Sequence, residues 1–182
     1  MRETQKGLRG ENLVVSTLQD AKDLDVRILR NFPLMNDSKT GYYQVDIVLV
    51  CDRGIYALEV KNWECTVDCS MSNIYWKVTY PTREIMVKSP FLQNKIHCKF
   101  LCDLIKRPVY NVVVFSDKTT IQNGFQGVIR YTDIASFLSK QPIMYDKAEV
   151  QMLTAKLLAY KNEHDEKMLM DFFCKALNRV NI

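Results

Sequence analysis

The sequence predicts an α/β domain in which a mixed central β-sheet is flanked by helices. Three observations predict it. Two apolar runs, Gln44 to Val50 and Ile55 to Lys61, meet at a short turn, Asp52-Arg53-Gly54, and read as a β-hairpin. A helical stripe, Leu8, Val14, Val15 and Leu18, precedes them, and a second helix start, Ser89-Pro90, follows. Val109 to Phe115 then reads as a buried strand, parallel to an earlier one because a helix crosses between them.

Taken in order, the first helix covers about residues 4 to 21, and a strand follows near Val26 to Phe32. Asn36 to Gly41 is a polar loop leading into the hairpin. Ile74 to Tyr80 alternates like an exposed strand, and Tyr75, Trp76 and Tyr80 either pack or stack on bases. In the second helix Ser89 is the N-cap and Pro90 the first helical residue. Its stripe is Leu92, Ile96, Phe100 and Leu104, with Gln93, His97, Leu101 and Ile105 alongside.

Residues 1–125 form the core of this reading, and 126–182 a C-terminal strand and helical extension packed on the same domain. Gly127 to Tyr131 is a short strand, and Thr132-Asp133 caps a small helix ending near Ser139. From Asp146 the pattern is helical, through Val150, Leu153 and Leu157, then Leu169, Phe172, Phe173 and Leu177. Lys161 to Lys167 interrupts the stripe as a solvated face or a turn, with His164 exposed. These helices close the core, form a homodimer or hold a partner.

With 47% hydrophobic and 25% charged residues, 182 residues suffice to bury one ordinary core. The N-terminus is polar and no apolar run reaches the length of a membrane span, so a cytoplasmic protein with no membrane contact is expected. The formal charge of +4 permits nucleic-acid binding without requiring it. Candidate phosphate contacts are Lys6, Arg9, Lys39, Lys77, Arg83, Lys88, Lys95 and Lys99. Among the six cysteines, Cys65 and Cys69 are four apart, as are Cys98 and Cys102. That spacing is looser than a zinc knuckle, and small buried thiols are the favoured reading over zinc or a disulfide.

The hairpin carries the chemistry. Asp46, Glu59 and Lys61 lie in apolar strands, where charge is costly unless paired or metal-bound. Glu59 and Lys61 share a face because side chains alternate along a strand. If the hairpin loop holds an even number of residues, Asp46 stands opposite Glu59, with Cβ atoms about 5 Å apart. An odd loop would put the two carboxylates on opposite faces. In the even register two carboxylates and an ammonium converge, a donor set suited to Mg²⁺ or Mn²⁺ beside a lysine that can stabilise charge on a phosphoryl group. The bland alternative is an exposed charge cluster on a solvated sheet face.

Two further residues sit where carbon is expected. Glu11 falls on the apolar stripe of the first helix, either turned inward or snorkelling to cap the N-terminus. Gln93 lies in the first turn of the second helix, where an amide can hold a water or a phosphate oxygen, although a bland polar residue is common there.

In order and spacing, Gly10-Glu11, Gln44-Val45-Asp46, Gly54-Ile55 leading to Glu59-Val60-Lys61-Asn62-Trp63, then Ser89-Pro90 and Gln93, resemble the nuclease-related domain (NERD). That family belongs to the PD-(D/E)XK nuclease superfamily, and the resemblance covers roughly residues 5 to 115. It implies a restriction-endonuclease-like core. It also implies Asp46 and Glu59 as metal ligands, Glu11 as a helix-borne supporting acid, Lys61 as the catalytic lysine and Gln93 as a supporting glutamine. Val45 stands where the superfamily has proline, and Trp63-Glu64-Cys65 where a glycine is common. Neither departure removes a reacting group.

The expected function is therefore a Mg- or Mn-dependent phosphodiesterase acting on DNA, with the Val60 carbonyl as a further metal ligand. The alternatives are a nuclease acting on RNA, or a nucleic-acid-binding or regulatory module that keeps the fold without turnover.

Overall fold

The computed structural model describes residues 2–21, 24–35, 41–70 and 72–180, with side chains between residues 5 and 170. Helix α1 (Arg2–Asp20) leads into strands β1 (Arg27–Met35), β2 (Tyr42–Cys51) and β3 (Gly54–Lys61). Three short strands follow, β4 (Thr66–Asp68), β5 (Tyr75–Tyr80) and β6 (Arg83–Lys88), before helix α2 (Pro90–Ile105). The chain continues through β7 (Tyr110–Phe115), β8 (Thr120–Gln122), β9 (Val128–Arg130), α3 (Ile134–Ser139) and α4 (Lys147–Val180).

The central sheet has the order β1-β2-β3-β7-β9, and a second sheet the order β6-β5-β4-β8. Antiparallel pairing joins β1 to β2 and β2 to β3, whereas β7 runs parallel to β3 after the α2 crossover. Both faces of the central sheet are covered, which explains why β3 is buried along all but its last residue. On one face Cys98, Leu101 and Ile105 of α2 and Val150, Leu153 and Leu157 of α4 meet Val48, Val50, Ile55 and Ala57. On the other, Val14 and Leu18 of α1 and Ile134 and Leu138 of α3 meet Ile47, Leu49 and Leu58. A third cluster joins the second sheet to Val113 and Phe115 of β7. The architecture is the expected one: a mixed α/β fold with added C-terminal helices, consistent with a restriction-endonuclease-like core.

Three local expectations need correction, and for Trp76 the choice between packing and stacking resolves to packing. Leu8 is 51% exposed, so the buried stripe of α1 begins at Val14 rather than a turn earlier. In α2 the buried face is Asn94, His97, Cys98, Leu101 and Ile105, one residue round from the apolar stripe, and Ile96 is 64% exposed. The rotation follows from Asn94, a polar residue that the core accepts because its amide is bonded to strand groups, as described below.

Helix α4 passes unbroken through Lys161–Lys167, and His164 is buried. Its ring stacks on Tyr160 with centroids 4.0 Å apart, and its Nδ1 donates to the Tyr160 carbonyl at 2.8 Å. The ring thus fills the place an aliphatic side chain would take. Finally, Trp76 is fully buried against Phe115 and Phe125, with Nε1 donating to the Ser70 carbonyl. It cannot stack on a base, whereas Tyr75 is half exposed.

The loop over 36–40, Lys39 and the apolar positions Phe172, Phe173 and Leu177 lie outside the residues described here. Among the described residues, no helix is long and apolar enough to cross a membrane.

Candidate active site

The hairpin register is the even one. Cys51 pairs with Gly54 and Ile47 with Leu58, leaving a two-residue turn, Asp52-Arg53. Gly54, at φ 139, takes a conformation that side chains disfavour. One step beyond the Ile47–Leu58 pair, the register sets Asp46 opposite Glu59.

Asp46 sits at a kink. The β1–β2 ladder passes from Arg30–Ile47 directly to Phe32–Val45, skipping Asn31 and Asp46, and Asn31 is left-handed at φ 49. Beyond this point both strands change the face they present to the core. Val48 and Val50 join the α2–α4 cluster, but so does Val45, which strict alternation would place on the opposite face. The kink allows Asp46 Oδ2 to accept the backbone amide of Val60 at 2.8 Å. Burial, then the neighbouring Glu59 charge, push the Asp46 carboxyl from 3.8 up to about 6 against the opposing effects of the Val60 amide and Lys61.

Glu59 is only 3% exposed. Its Oε1 accepts the Lys61 ammonium at 2.6 Å and lies 3.5 Å from Gln93 Nε2, so the in-strand pair and the first turn of α2 meet at one carboxylate oxygen. The Ser89 hydroxyl accepts the Leu92 amide, which starts α2 where Gln93 can reach β3. Gln93 itself is exposed.

Glu11 approaches from α1. Its Oε2 accepts Arg30 Nη2 at 3.2 Å across the sheet face, and its side chain is 13% exposed. Burial and then the Asp46 charge raise its carboxyl above the usual range, with Arg30 opposing. Gly10 makes this approach possible, since a Cβ there would stand 2.8 Å from the Asn62 Cβ. The structure therefore gathers Asp46, Glu59, Lys61 and Gln93 directly, with Glu11 beside Asp46. The Val60 side chain packs toward α1 on the other face, while its backbone borders Asp46.

Of two further neighbours, Asn94 has no signal in the sequence, and His97 is placed beside Gln93 there without a role. Asn94, fully buried, donates through Nδ2 to the Ala57 carbonyl at 2.7 Å and to Asn111 Oδ1 at 2.8 Å, tying α2 to β3 and β7. His97, one turn after Gln93, is buried and lies 3.3 Å from Asn94 Oδ1. Burial and the Lys61 charge push its imidazole down to about 4. No apolar-periodicity signal identifies either residue.

On the far side of Lys61 a groove is lined by Lys6, Asn62, Trp63, Tyr80 and Arg83, which assembles two of the expected phosphate contacts beside the carboxylates. The cysteines are spread through the core. Cys65 and Cys69 lie in the second-sheet cluster and Cys98 in the α2–α4 cluster, with burial pushing Cys69 and Cys98 up to about 12. Cys102 Sγ accepts the Val109 amide at 3.2 Å, and Cys174 lies outside the described side chains.

Comparison with known proteins agrees with this geometry at the level of family. No curated protein and no solved structure matches the chain. The family model of the nuclease-related domain matches residues 6–116, a span that contains α1, the hairpin, α2 and β7. That span is more than half of the chain, and the protein belongs to the nuclease-related domain (NERD) family.

Proposed function

We propose that the protein is a metal-dependent nuclease that hydrolyses DNA phosphodiester bonds. The observation that carries this reading is a pair of carboxylates, the buried Glu59 and the half-buried Asp46, on neighbouring strands beside Lys61. Two like charges in one poorly solvated place raise each other's cost, and a divalent cation relieves both.

The donor set fits Mg²⁺ or Mn²⁺. Among the described residues there is no group of three or more His, Cys, Asp or Glu arranged for a metal, which disfavours a closed protein cage. Hard cations of this kind keep several waters and take one or two carboxylates plus substrate phosphate. Asp46, Glu59 and the Val60 carbonyl would hold the ion, which when bound polarises a phosphoryl oxygen and lowers the pKa of water.

The chain's own groups do the rest. Lys61 orients the attacking water and stabilises the negative charge that grows on the phosphoryl oxygens as the new P–O bond forms and the old one breaks. Gln93 holds the Glu59 carboxylate and neighbouring water through its amide. Glu11, fixed by Arg30, orients water beside Asp46. A second reading, a nucleic-acid-binding module without turnover, is favoured by one observation: the Lys61 ammonium already neutralises Glu59 in place of a cation.

Incubation with plasmid, linear duplex, single-stranded and branched DNA in Mg²⁺ or Mn²⁺, beside Glu59→Gln, separates the two. The nuclease cuts at least one substrate only with metal, and Glu59→Gln does not. A structured RNA cut in preference to every DNA would move the substrate to RNA, and binding without cutting would support the module.

A further inference from the structure

A long groove runs along the outer face of α2 from the candidate active site. Its near part, about 480 Å³, is bordered by Ile74, Lys88 and Gln93, and its far part, about 720 Å³, by Lys95 and Lys99. The two parts share Tyr43, Leu92, Ile96 and His97 and so form one continuous depression. Each part falls within the range that holds an organic ligand of nucleoside size or larger.

Its floor is apolar and open, with Tyr43 53%, Ile74 65% and Ile96 64% exposed. Three exposed lysines stand along it against one carboxylate, Asp103, at the far end. Gln93, whose amide reaches Glu59, forms part of its wall.

We propose that this groove holds an unpaired nucleic-acid strand, its bases against Tyr43 and Ile96 and its phosphates on Lys88, Lys95 and Lys99. The proposal rests on the nuclease reading for its substrate class and deepens it. A duplex keeps its bases stacked inside and shows a protein its phosphates and groove edges, so it has no use for an apolar floor. A single strand offers base faces and phosphates together, which an aromatic and aliphatic floor with a cationic border matches.

His97 leaves the phosphates to the lysines. The Asn94 amide nitrogen is committed to the Ala57 carbonyl and Asn111, so its oxygen faces His97 and accepts the hydrogen bond that Nδ1–H donates. Nε2 therefore keeps its lone pair. Burial and the Lys61 charge push the imidazole down to about 4, so the ring that borders both parts of the groove carries no charge for a phosphate.

The test measures binding of a fluorescent oligothymidylate and of a duplex of equal length to the full chain, in chelator so that nothing is cut. The wild type binds the single strand at least tenfold more tightly than the duplex. Tyr43→Ala combined with Ile96→Ala weakens single-strand binding roughly tenfold and leaves duplex binding unchanged. Both side chains are exposed, and an unchanged melting midpoint confirms that the variant folds. Equal or tighter duplex binding, or a double variant with wild-type single-strand affinity, overturns the proposal. The nuclease reading fails separately: a single-strand preference with no cutting in metal keeps the groove and removes the enzyme, whereas cutting without any effect of the double variant does the reverse.

Discussion

Asp46 is fastened to Val60: its carboxylate accepts the Val60 amide at 2.8 Å, across the hairpin and between the two charged residues of β3. A backbone donor holds this side chain in place although its charge is unfavourable there. With its carboxyl at about 6 in the fold against 3.8, the native state binds a proton between these values that the unfolded chain has released. Stability therefore falls as pH rises through that window and stays lower above it. Glu11, also raised, adds in the same direction.

Asp46→Asn removes this cost and keeps an oxygen for Val60. At pH 7.5 in chelator the variant is more stable than wild type by about 1–2 kcal/mol, after discounting for solvent at a partly exposed group, and the two converge near pH 4. Its melting midpoint rises by at least about 2 °C while cleavage is lost. Thermal melts across pH check the first statement and a cleavage assay the second.

Lys61→Ala leaves the buried Glu59 carboxylate without its ammonium and destabilises the fold by about 1–3 kcal/mol, because Lys61 is itself partly solvated. The same change frees Glu59 for a cation. Calorimetry on the variant therefore finds Mg²⁺ bound more tightly than by wild type, with no turnover. Weaker binding would mean that Lys61 organises the ligands rather than competing with the ion.

Asn94→Ala removes the tie between α2 and strands β3 and β7 and takes the side-chain donor away from the buried Ala57 carbonyl and from Asn111 Oδ1. The expected loss is about 2–3 kcal/mol in urea unfolding, with reduced activity because Gln93 and His97 lose their anchored helix. Tyr43→Ala, at an exposed site, serves as the comparison and leaves stability within about 0.5 kcal/mol.

Gly10→Ala places a methyl 2.8 Å from the Asn62 Cβ, so α1 must move outward. Overpacking of this kind costs about 1–3 kcal/mol, and the shift carries Glu11 away from Asp46. A lower melting midpoint with lower turnover at saturating Mg²⁺ is the expected pair of results.

The hairpin was readable because its two rules are local: alternation puts Glu59 and Lys61 together, and a two-residue turn ahead of Gly54 sets Asp46 opposite Glu59. The kink at Asn31 was not readable, since it depends on both strands breaking at the same place. Apolar periodicity also missed what the core accepts in polar form. Asn94 is buried because strand groups receive its amide, and His97 because the Asn94 oxygen receives its ring nitrogen, so the buried face of α2 lies one residue round from its apolar stripe. His164 was misread for the same reason, its ring buried by stacking on Tyr160 within a run of charges. Trp76 shows the converse, a strand aromatic whose burial follows the alternation of β5, with Trp76 and Val78 turned in and Tyr75 and Lys77 turned out, and is completed by Phe115 of β7 and by Phe125.

The central claim is that Asp46 and Glu59 together hold a catalytic divalent ion. The most direct measurement is Mg²⁺ or Mn²⁺ binding by calorimetry to wild type, Asp46→Asn and Glu59→Gln, with DNA cleavage followed on the same preparations. The account predicts metal binding and metal-dependent cleavage by wild type, and loss of both in each variant. Cleavage by Asp46→Asn at the wild-type rate, or a wild type that binds no metal and cuts no DNA, would contradict it.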